Sequence, residues 1–257
     1  MQVRDIMVDA PTISKADKIS HALEIMDKKK TRRLLVLNNG AVAGILTMRS
    51  LAKELGTQRT KPASSLPVVT AVTDSYTFIE PTEDFTDAVK LLKEKGGVLL
   101  VSRNEEDVMG WITPMEILSN YKFEGTAKDV MSTTPISIHP TDRLVHARRL
   151  MIENNIGRLP VIEGGKVVGV ISEKDVAIAF QEFKDSVPDK YQDARLKEIV
   201  ISDIMKTNPI TAAPDTPLSE IADIVINKDV GIIPIIDNGS LVGIVTRRRL
   251  IKSIKTE

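Results

Sequence analysis

The chain of 257 residues carries 35 basic and 35 acidic side chains, so its formal net charge is zero, and it contains no cysteine. A general binder of nucleic acid or anionic membranes would show a basic excess, so such a function would need a local patch. Disulfides, thiolate catalysis and cysteine-ligated metals are excluded. A hydrophobic content of 42% is enough for a buried core. Because the sequence shows neither a bilayer-spanning apolar stretch nor the apolar core of a signal peptide, we expect a cytoplasmic protein without membrane contact.

One pattern recurs along the chain. Three openings, at residues 3–14, 127–138 and 201–212, contain Asp, an apolar residue and Met, followed by a Pro. After each opening come a segment with apolar residues at helical spacing, two β-rich runs around an Asn-Gly or Gly-Gly turn, and a second helix. A fourth copy at residues 78–113 keeps the helix, both strands and the final Gly-apolar-apolar-Thr, but lacks the opening. The sequence therefore predicts four β-α-β-β-α repeats, anchored by Gly44, Gly110, Gly169 and Gly243.

The repeats are placed at residues 1–60, 61–124, 125–182 and 196–257, with residues 183–195 as a connector. GTQRTKPASSLP at residues 56–67 is rich in Pro, Ser and Gly and predicts a linker between the first two repeats. The charged segment at residues 181–200 is interrupted by Pro188 and predicts a helix end, a turn and an approach segment. It could be a solvated connector or an element that docks a partner.

The Asp-apolar-Met openings, GRLPVIEGGKVVGVIS at residues 157–172 and the Gly-apolar-apolar-Ser/Thr ends resemble the CBS domain, the family named after cystathionine β-synthase. The resemblance covers nearly the whole chain. It implies a mixed α+β fold in which consecutive repeats pack their sheets about a pseudo-twofold axis, so that four repeats form two Bateman modules. It also implies a non-catalytic regulatory protein similar to the nucleotide-sensing gamma subunits of AMP-activated protein kinase and to stand-alone prokaryotic CBS proteins. Such proteins commonly form homodimers.

In each repeat the last strand ends at a Ser or Thr from which a helix begins. Ser and Thr are preferred N-caps, and an acidic residue three positions later completes a capping box. Thr113 and Glu116 fit this pattern, with Pro114 at the first helical position. Ser172 and Asp175 fit less well, because Asp is short for reaching back to the cap amide. Helix capping by itself would account for both pairs.

The resemblance adds a second interpretation of Ser172 and Asp175. In CBS domains that bind adenosyl ligands, the pattern Gly-x-Ser/Thr-x-x-Asp places a carboxylate where it accepts hydrogen bonds from both ribose hydroxyls. A helix N-terminus also suits phosphate. At the Asp position the other repeats carry Ser50, a weak acceptor, Glu116, which implies looser geometry, and Arg249, which has no acceptor.

The resemblance also implies that the fourth repeat completes this site. The adenine pocket would use backbone and side chains of Asn208, Pro209, Ile210, Thr211, Ile232 and Pro234. The phosphates would meet Arg158, Lys174, Arg247, Arg248 and Arg249. Three arginines in the first turn of a helix oppose the helix dipole, which neighbouring acidic side chains, plain exposure to solvent or a ligand phosphate would relieve. A second candidate site combines Thr12, Ile13, Arg32, Arg33, Thr113 and Glu116.

The sequence therefore predicts a sensor of AMP, ADP or ATP that needs no cofactor beyond Mg²⁺ with ATP and acts on a protein partner whose identity is open. S-adenosylmethionine or methylthioadenosine is an alternative ligand. A ligand-free interaction module, including a DNA-associated regulator, is favoured only by the basic stretches at residues 28–33 and 247–249. Catalysis is not expected, because the chain lacks a nucleophile–base pattern, and its three separated histidines lack metal-ligand spacing.

Overall fold

The computed structural model describes residues 1–57 and 62–256. Repeat 1 contains α1 (Val3–Ile6), β1 (Thr12–Ser14), α2 (Ile19–Lys28), β2 (Arg33–Asn38), β3 (Ala41–Thr47) and α3 (Met48–Thr57). Repeat 2 contains two 3-10 helices (Ala63–Ser65 and Val68–Ala71), β4 (Val72–Thr73), β5 (Tyr76–Ile79), α4 (Phe85–Glu94), β6 (Val98–Ser102), β7 (Val108–Ile112) and α5 (Pro114–Ser119). The linker predicted at residues 56–67 lies partly outside the described residues.

Repeat 3 contains α6 (Ala127–Val130), α7 (Leu144–Glu153), β8 (Arg158–Glu163), β9 (Lys166–Ser172) and α8 (Glu173–Ser186). The connector then forms α9 (Asp189–Arg195), a helix that the sequence prediction missed. Its Gln192 side chain is buried and donates a hydrogen bond to the Val187 carbonyl at 2.9 Å, which ties α9 to the end of α8. Repeat 4 contains a 3-10 helix (Ile201–Asp203), β10 (Lys206–Thr207), α10 (Leu218–Asn227), β11 (Ile232–Asp237), β12 (Ser240–Thr246) and α11 (Arg247–Ser253).

The prediction of a repeated mixed α/β fold is confirmed. Each repeat contains one antiparallel hairpin, formed by β2 with β3, β6 with β7, β8 with β9 and β11 with β12. In the Asn39-Gly40 and Asn238-Gly239 turns both residues have positive φ, as a two-residue type I′ hairpin requires. The first predicted strand pairs in parallel with the hairpin in repeats 1 and 2. In repeats 3 and 4 it is reduced to a single bridge, Ile138 with Val161 and Ala212 with Ile235.

The openings pack on a neighbouring repeat. At Gly169, an added Cβ would lie 2.8 Å from the Lys206 carbonyl oxygen and 2.9 Å from the Met205 sulfur. Glycine therefore allows the close approach of the opening of repeat 4 to the hairpin of repeat 3. Repeats 3 and 4 exchange openings in this way, the opening of repeat 1 approaches Gly110 of repeat 2, and Val72 of repeat 2 approaches Gly44 of repeat 1. The contacting pairs are Met7 with Gly110, Val72 with Gly44, Met131 with Gly243 and Met205 with Gly169. The repeated methionines of the openings, Met7, Met131 and Met205, thus serve packing.

The chain divides into two compact units. The odd unit comprises Pro11–Asp74 and Ile136–Pro209 and holds the hairpins of repeats 1 and 3. In its core α3 packs against α7 and α8, around side chains such as Leu51, Leu55 and Phe180. The even unit comprises Met1–Ala10, Ser75–Pro135 and Ile210–Glu257 and holds the hairpins of repeats 2 and 4. In its core α5 packs against α4, α10 and α11.

Trp111, on β7, is buried. Across the described ranges, no helix combines the length and the apolar character that crossing a membrane requires.

Candidate functional site

The junction between β9 and α8 is a complete capping box. The Asp175 Oδ2 atom accepts hydrogen bonds from the Ser172 amide at 2.8 Å and from the Ser172 hydroxyl at 2.6 Å. In return, the Ser172 Oγ atom accepts from the Asp175 amide. The sequence predicted a box that fits less well because Asp is short, and in the structure Asp175 reaches the cap amide. Because the Ser172 backbone is extended (φ −121, ψ 165), its own amide faces the first turn of the helix, within reach of a short side chain.

The second carboxylate oxygen of Asp175 faces a lysine. The Lys206 Nζ atom lies 3.6 Å from Asp175 Oδ1, and the exposed fractions of the two side chains are 65% and 12%. Lys206 belongs to β10, which pairs antiparallel with β9 so that Lys206 lies opposite Val170. The sequence interpretation missed this residue. The approach of Met205 to Gly169, which brings Lys206 to the end of β9, is a tertiary contact that the local sequence does not encode.

The corresponding junctions of repeats 1 and 2 are capped by different chemistry. In repeat 2, Glu116 Oε2 accepts from the Thr113 amide and hydroxyl, both at 2.7 Å. In repeat 1, the Ser50 hydroxyl takes the place of the carboxylate and accepts from the Thr47 amide at 3.0 Å. Among the four junctions, those of repeats 2 and 3 therefore present a carboxylate, and the second oxygen of Asp175 contacts a lysine.

The arginines that open α11 are arranged differently from one another. Arg247 donates to Asp229 Oδ1 at 2.5 Å and to the Val230 carbonyl at 3.2 Å, and its side chain is 14% exposed. A neighbouring acidic side chain thus compensates Arg247, which was one of the open alternatives. Arg248 and Arg249 are exposed to solvent. The Arg249 amide donates to the Thr246 hydroxyl at 3.3 Å, but no box forms, because Arg has no acceptor to return.

Lys174, predicted to meet phosphate, contacts repeat 1. Its Nζ atom lies 3.0 Å from Asp27 Oδ1, at the end of α2. The hydrogen bond and the charge of Lys174 lower the pKa of Asp27, with a smaller effect from Lys30. Arg49 stands at the matching position of repeat 1 and pairs with Glu173. Within the odd unit, two ion pairs thus join the first turn of α8 in repeat 3 to repeat 1. One reaches the end of α2, and the other reaches the first turn of α3.

This geometry predicts a pH-dependent contribution of Asp27 to folding. Because the folded-state pKa is lowered, the contribution is present above the ordinary Asp value of 3.8 and is lost as the pH falls through the lower folded-state value. We expect Asp27→Asn to be less stable than wild type at pH 7, with the difference shrinking toward pH 3. Urea unfolding at both pH values measures it. Lys174→Met serves as the second arm of a double-mutant cycle, and strictly additive effects would contradict the pairing.

The remaining predicted residues lie in both compact units. Thr12 is exposed, whereas Ile13 is part of the core of the odd unit. Of the predicted adenine pocket, Asn208, Ile210 and Thr211 are exposed, and Ile232 and Pro234 are buried.

In the odd unit lie Thr12, Ile13, Arg32, Arg33, Arg158, Ser172, Lys174, Asp175, Asn208 and Pro209. In the even unit lie Thr113, Glu116, Ile210, Thr211, Ile232, Pro234, Arg247, Arg248 and Arg249. Within the odd unit, Arg158 is the strand partner of Ser172, which brings it to the capped junction.

The chain is similar to known proteins of one family. The model of the CBS domain family matches residues 3–57, 127–182 and 201–256, in three of the four repeats. Protein MJ1225 of Methanocaldococcus jannaschii is 27% identical over 94% of either chain. Its crystal structure covers 98% of this chain and 99% of its own, with a TM-score of 0.82 and 24% identity. A Pyrococcus horikoshii protein covers the same shares with a TM-score of 0.64 and 20% identity. Inosine-5'-monophosphate dehydrogenase of Korarchaeum cryptofilum is 27% identical over 72% of this chain but only 33% of the enzyme.

Proposed function

Because the chain belongs to the CBS domain family, we propose that it is a non-catalytic regulatory protein that binds AMP, ADP or ATP at the junction of Ser172 and Asp175. The observation that carries this proposal is the carboxylate of Asp175. Its Oδ2 atom is used by the capping box, while its Oδ1 atom, which faces Lys206 at 3.6 Å, can accept hydrogen bonds from a ribose diol. The cap also holds the side chain in one orientation before the ligand arrives, which reduces the ordering cost of binding.

The surroundings of this carboxylate favour a ligand with phosphates. Lys206 is close to Asp175, and Arg158 is the strand partner of Ser172. The amides of the first turn of α8 carry partial positive charge. Glu173 would oppose a phosphate, but its charge is paired with Arg49. The same cations disfavour S-adenosylmethionine, whose sulfonium is positive.

The M. jannaschii protein MJ1225 is described as a proposed archaeal homologue of the gamma subunit of AMP-activated protein kinase. At 24% identity that structural likeness supports the fold, so the ligand is inferred from the chemistry of the junction. The dehydrogenase relative is three times longer than the matched part. This suggests that the repeats act there beside a separate catalytic domain, and we propose no catalysis for this chain. Occupancy would shift the population of conformations that a protein partner recognises.

Titration calorimetry of the purified chain tests the proposed function. We expect saturable binding of AMP, ADP and ATP, the last with and without Mg²⁺, and weaker binding of GMP, whose base presents different hydrogen-bonding groups. Absence of binding by all adenine nucleotides at millimolar concentration would overturn the proposal. The alternative of DNA binding predicts a gel shift that survives about 150 mM salt, since non-specific electrostatic binding weakens steeply with salt.

A further inference from the structure

Lys206 and Asp175 form an ion pair at the place where the proposed ribose would bind. The pair has an ammonium–carboxylate distance of 3.6 Å, and the carboxylate is largely buried while the lysine is largely exposed. We infer that Lys206 is a specificity-determining residue: it neutralises Asp175 in the ligand-free protein and selects adenosine ligands that carry an anionic group. This inference rests on the proposed function and assigns the ligand class of the same site.

The backbone that carries Lys206 is held in place. β10 is paired with β9 at Lys206–Val170 and Thr207–Gly169. The Lys206 carbonyl oxygen lies against Gly169 so closely that no Cβ would fit between them. The backbone therefore cannot retreat from the junction without breaking this strand pairing. The lysine side chain is the mobile part, since it is exposed and has a flexible four-carbon stem.

The position of the Lys206 ammonium group determines how it changes the affinity for each class of ligand. Asp175 Oδ2 already accepts two hydrogen bonds, so hydroxyl donors of a ribose would approach Oδ1 and compete there with Lys206. A neutral nucleoside weakens the ion pair and offers the ammonium group no new anion. A nucleotide weakens the same contact but supplies phosphate oxygens, with which a lysine forms charge-assisted hydrogen bonds. A ligand with a positive sulfonium adds repulsion. Lys206 would thus favour phosphorylated over unphosphorylated adenosine ligands.

The ratio of AMP to adenosine affinity in Lys206→Met tests this role. Methionine keeps an unbranched stem but removes the charge. Since exposed ion pairs are weak, we expect adenosine affinity to stay constant or rise about twofold, while AMP affinity falls about threefold, so that the ratio falls about three- to sixfold. Lys166→Met is the matched control: Lys166 is an exposed lysine at the other end of β9, and its replacement should leave the ratio unchanged.

The possible outcomes separate this inference from the proposed function. If wild type binds neither AMP nor adenosine, both are rejected. If wild type binds AMP and Asp175→Asn does not, but Lys206→Met keeps the wild-type ratio, only the role of Lys206 is rejected. A ratio that falls equally in Lys166→Met would show a general effect of net charge and would also overturn the inference. Circular dichroism of each variant checks that the fold is retained.

Discussion

Asp175→Asn is expected to lower the affinity for AMP by about 10- to 150-fold, the range for a hydrogen bond to a charged group. Asparagine has the shape of Asp175 and keeps a carbonyl oxygen that can accept from the Ser172 amide. It has no negative charge, and its NH2 group cannot accept a hydroxyl proton. The variant therefore removes acceptor capacity at the proposed ribose contact while changing the helix cap as little as possible. Titration calorimetry with AMP measures the effect.

Asp129→Asn provides the matched control. Asp129 Oδ2 accepts from the Thr126 amide at 2.8 Å and from the Thr126 hydroxyl at 3.0 Å, which repeats the box of Ser172 and Asp175 in a helix without a proposed ligand. These hydrogen bonds also lower the pKa of Asp129. We expect this variant to lose a comparable cap but to keep wild-type AMP affinity. AMP affinity within threefold of wild type in Asp175→Asn would show that the carboxylate serves only the cap.

Arg148→Ala is expected to lower the free energy of unfolding by about 2–3 kcal/mol, because it removes two charged hydrogen bonds and a packed side chain. Arg148 projects from α7 and donates to the Ala52 carbonyl at 3.0 Å and to the Lys53 carbonyl at 2.7 Å. Ala52 and Lys53 lie in the middle of α3, so these two hydrogen bonds join α7 directly to the backbone of α3. Burial lowers the pKa of Arg148, but an arginine remains charged at neutral pH.

Gly56 allows Arg148 to pack closely on α3, because a Cβ at position 56 would overlap the Arg148 guanidinium. Urea unfolding measures the loss of stability. Arg149→Ala is the control, since Arg149 is the exposed neighbour on the same helix. Arg148→Lys should lie between wild type and Arg148→Ala, because an ammonium group lacks the planar fork that reaches two carbonyls. A difference below about 0.5 kcal/mol between Arg148→Ala and Arg149→Ala would contradict the prediction, because ordinary surface substitutions vary by that much.

The candidate site was predictable in part. Ser172 and Asp175 stand three residues apart, so their cap depends on one turn of backbone. Their pairing could be proposed from spacing, and the extended conformation of Ser172 that lets Asp175 reach the amide is the usual one for an N-cap. The partners of Lys174 and Asp175 could not be predicted, because Asp27 lies 147 residues from Lys174 and no local pattern encodes that contact.

The amino-acid sequence by itself determined the repeat, the hairpins and the helix starts. These features are local: Asn-Gly turns require positive φ, apolar residues recur at the period of a helix, and Ser or Thr caps the next helix. The tertiary structure decided which segments meet. It brought Met205 onto Gly169, placed Lys206 beside Asp175 and paired Lys174 with Asp27. Such contacts depend on how distant segments pack, and the charge of a side chain does not specify which distant residue it will meet.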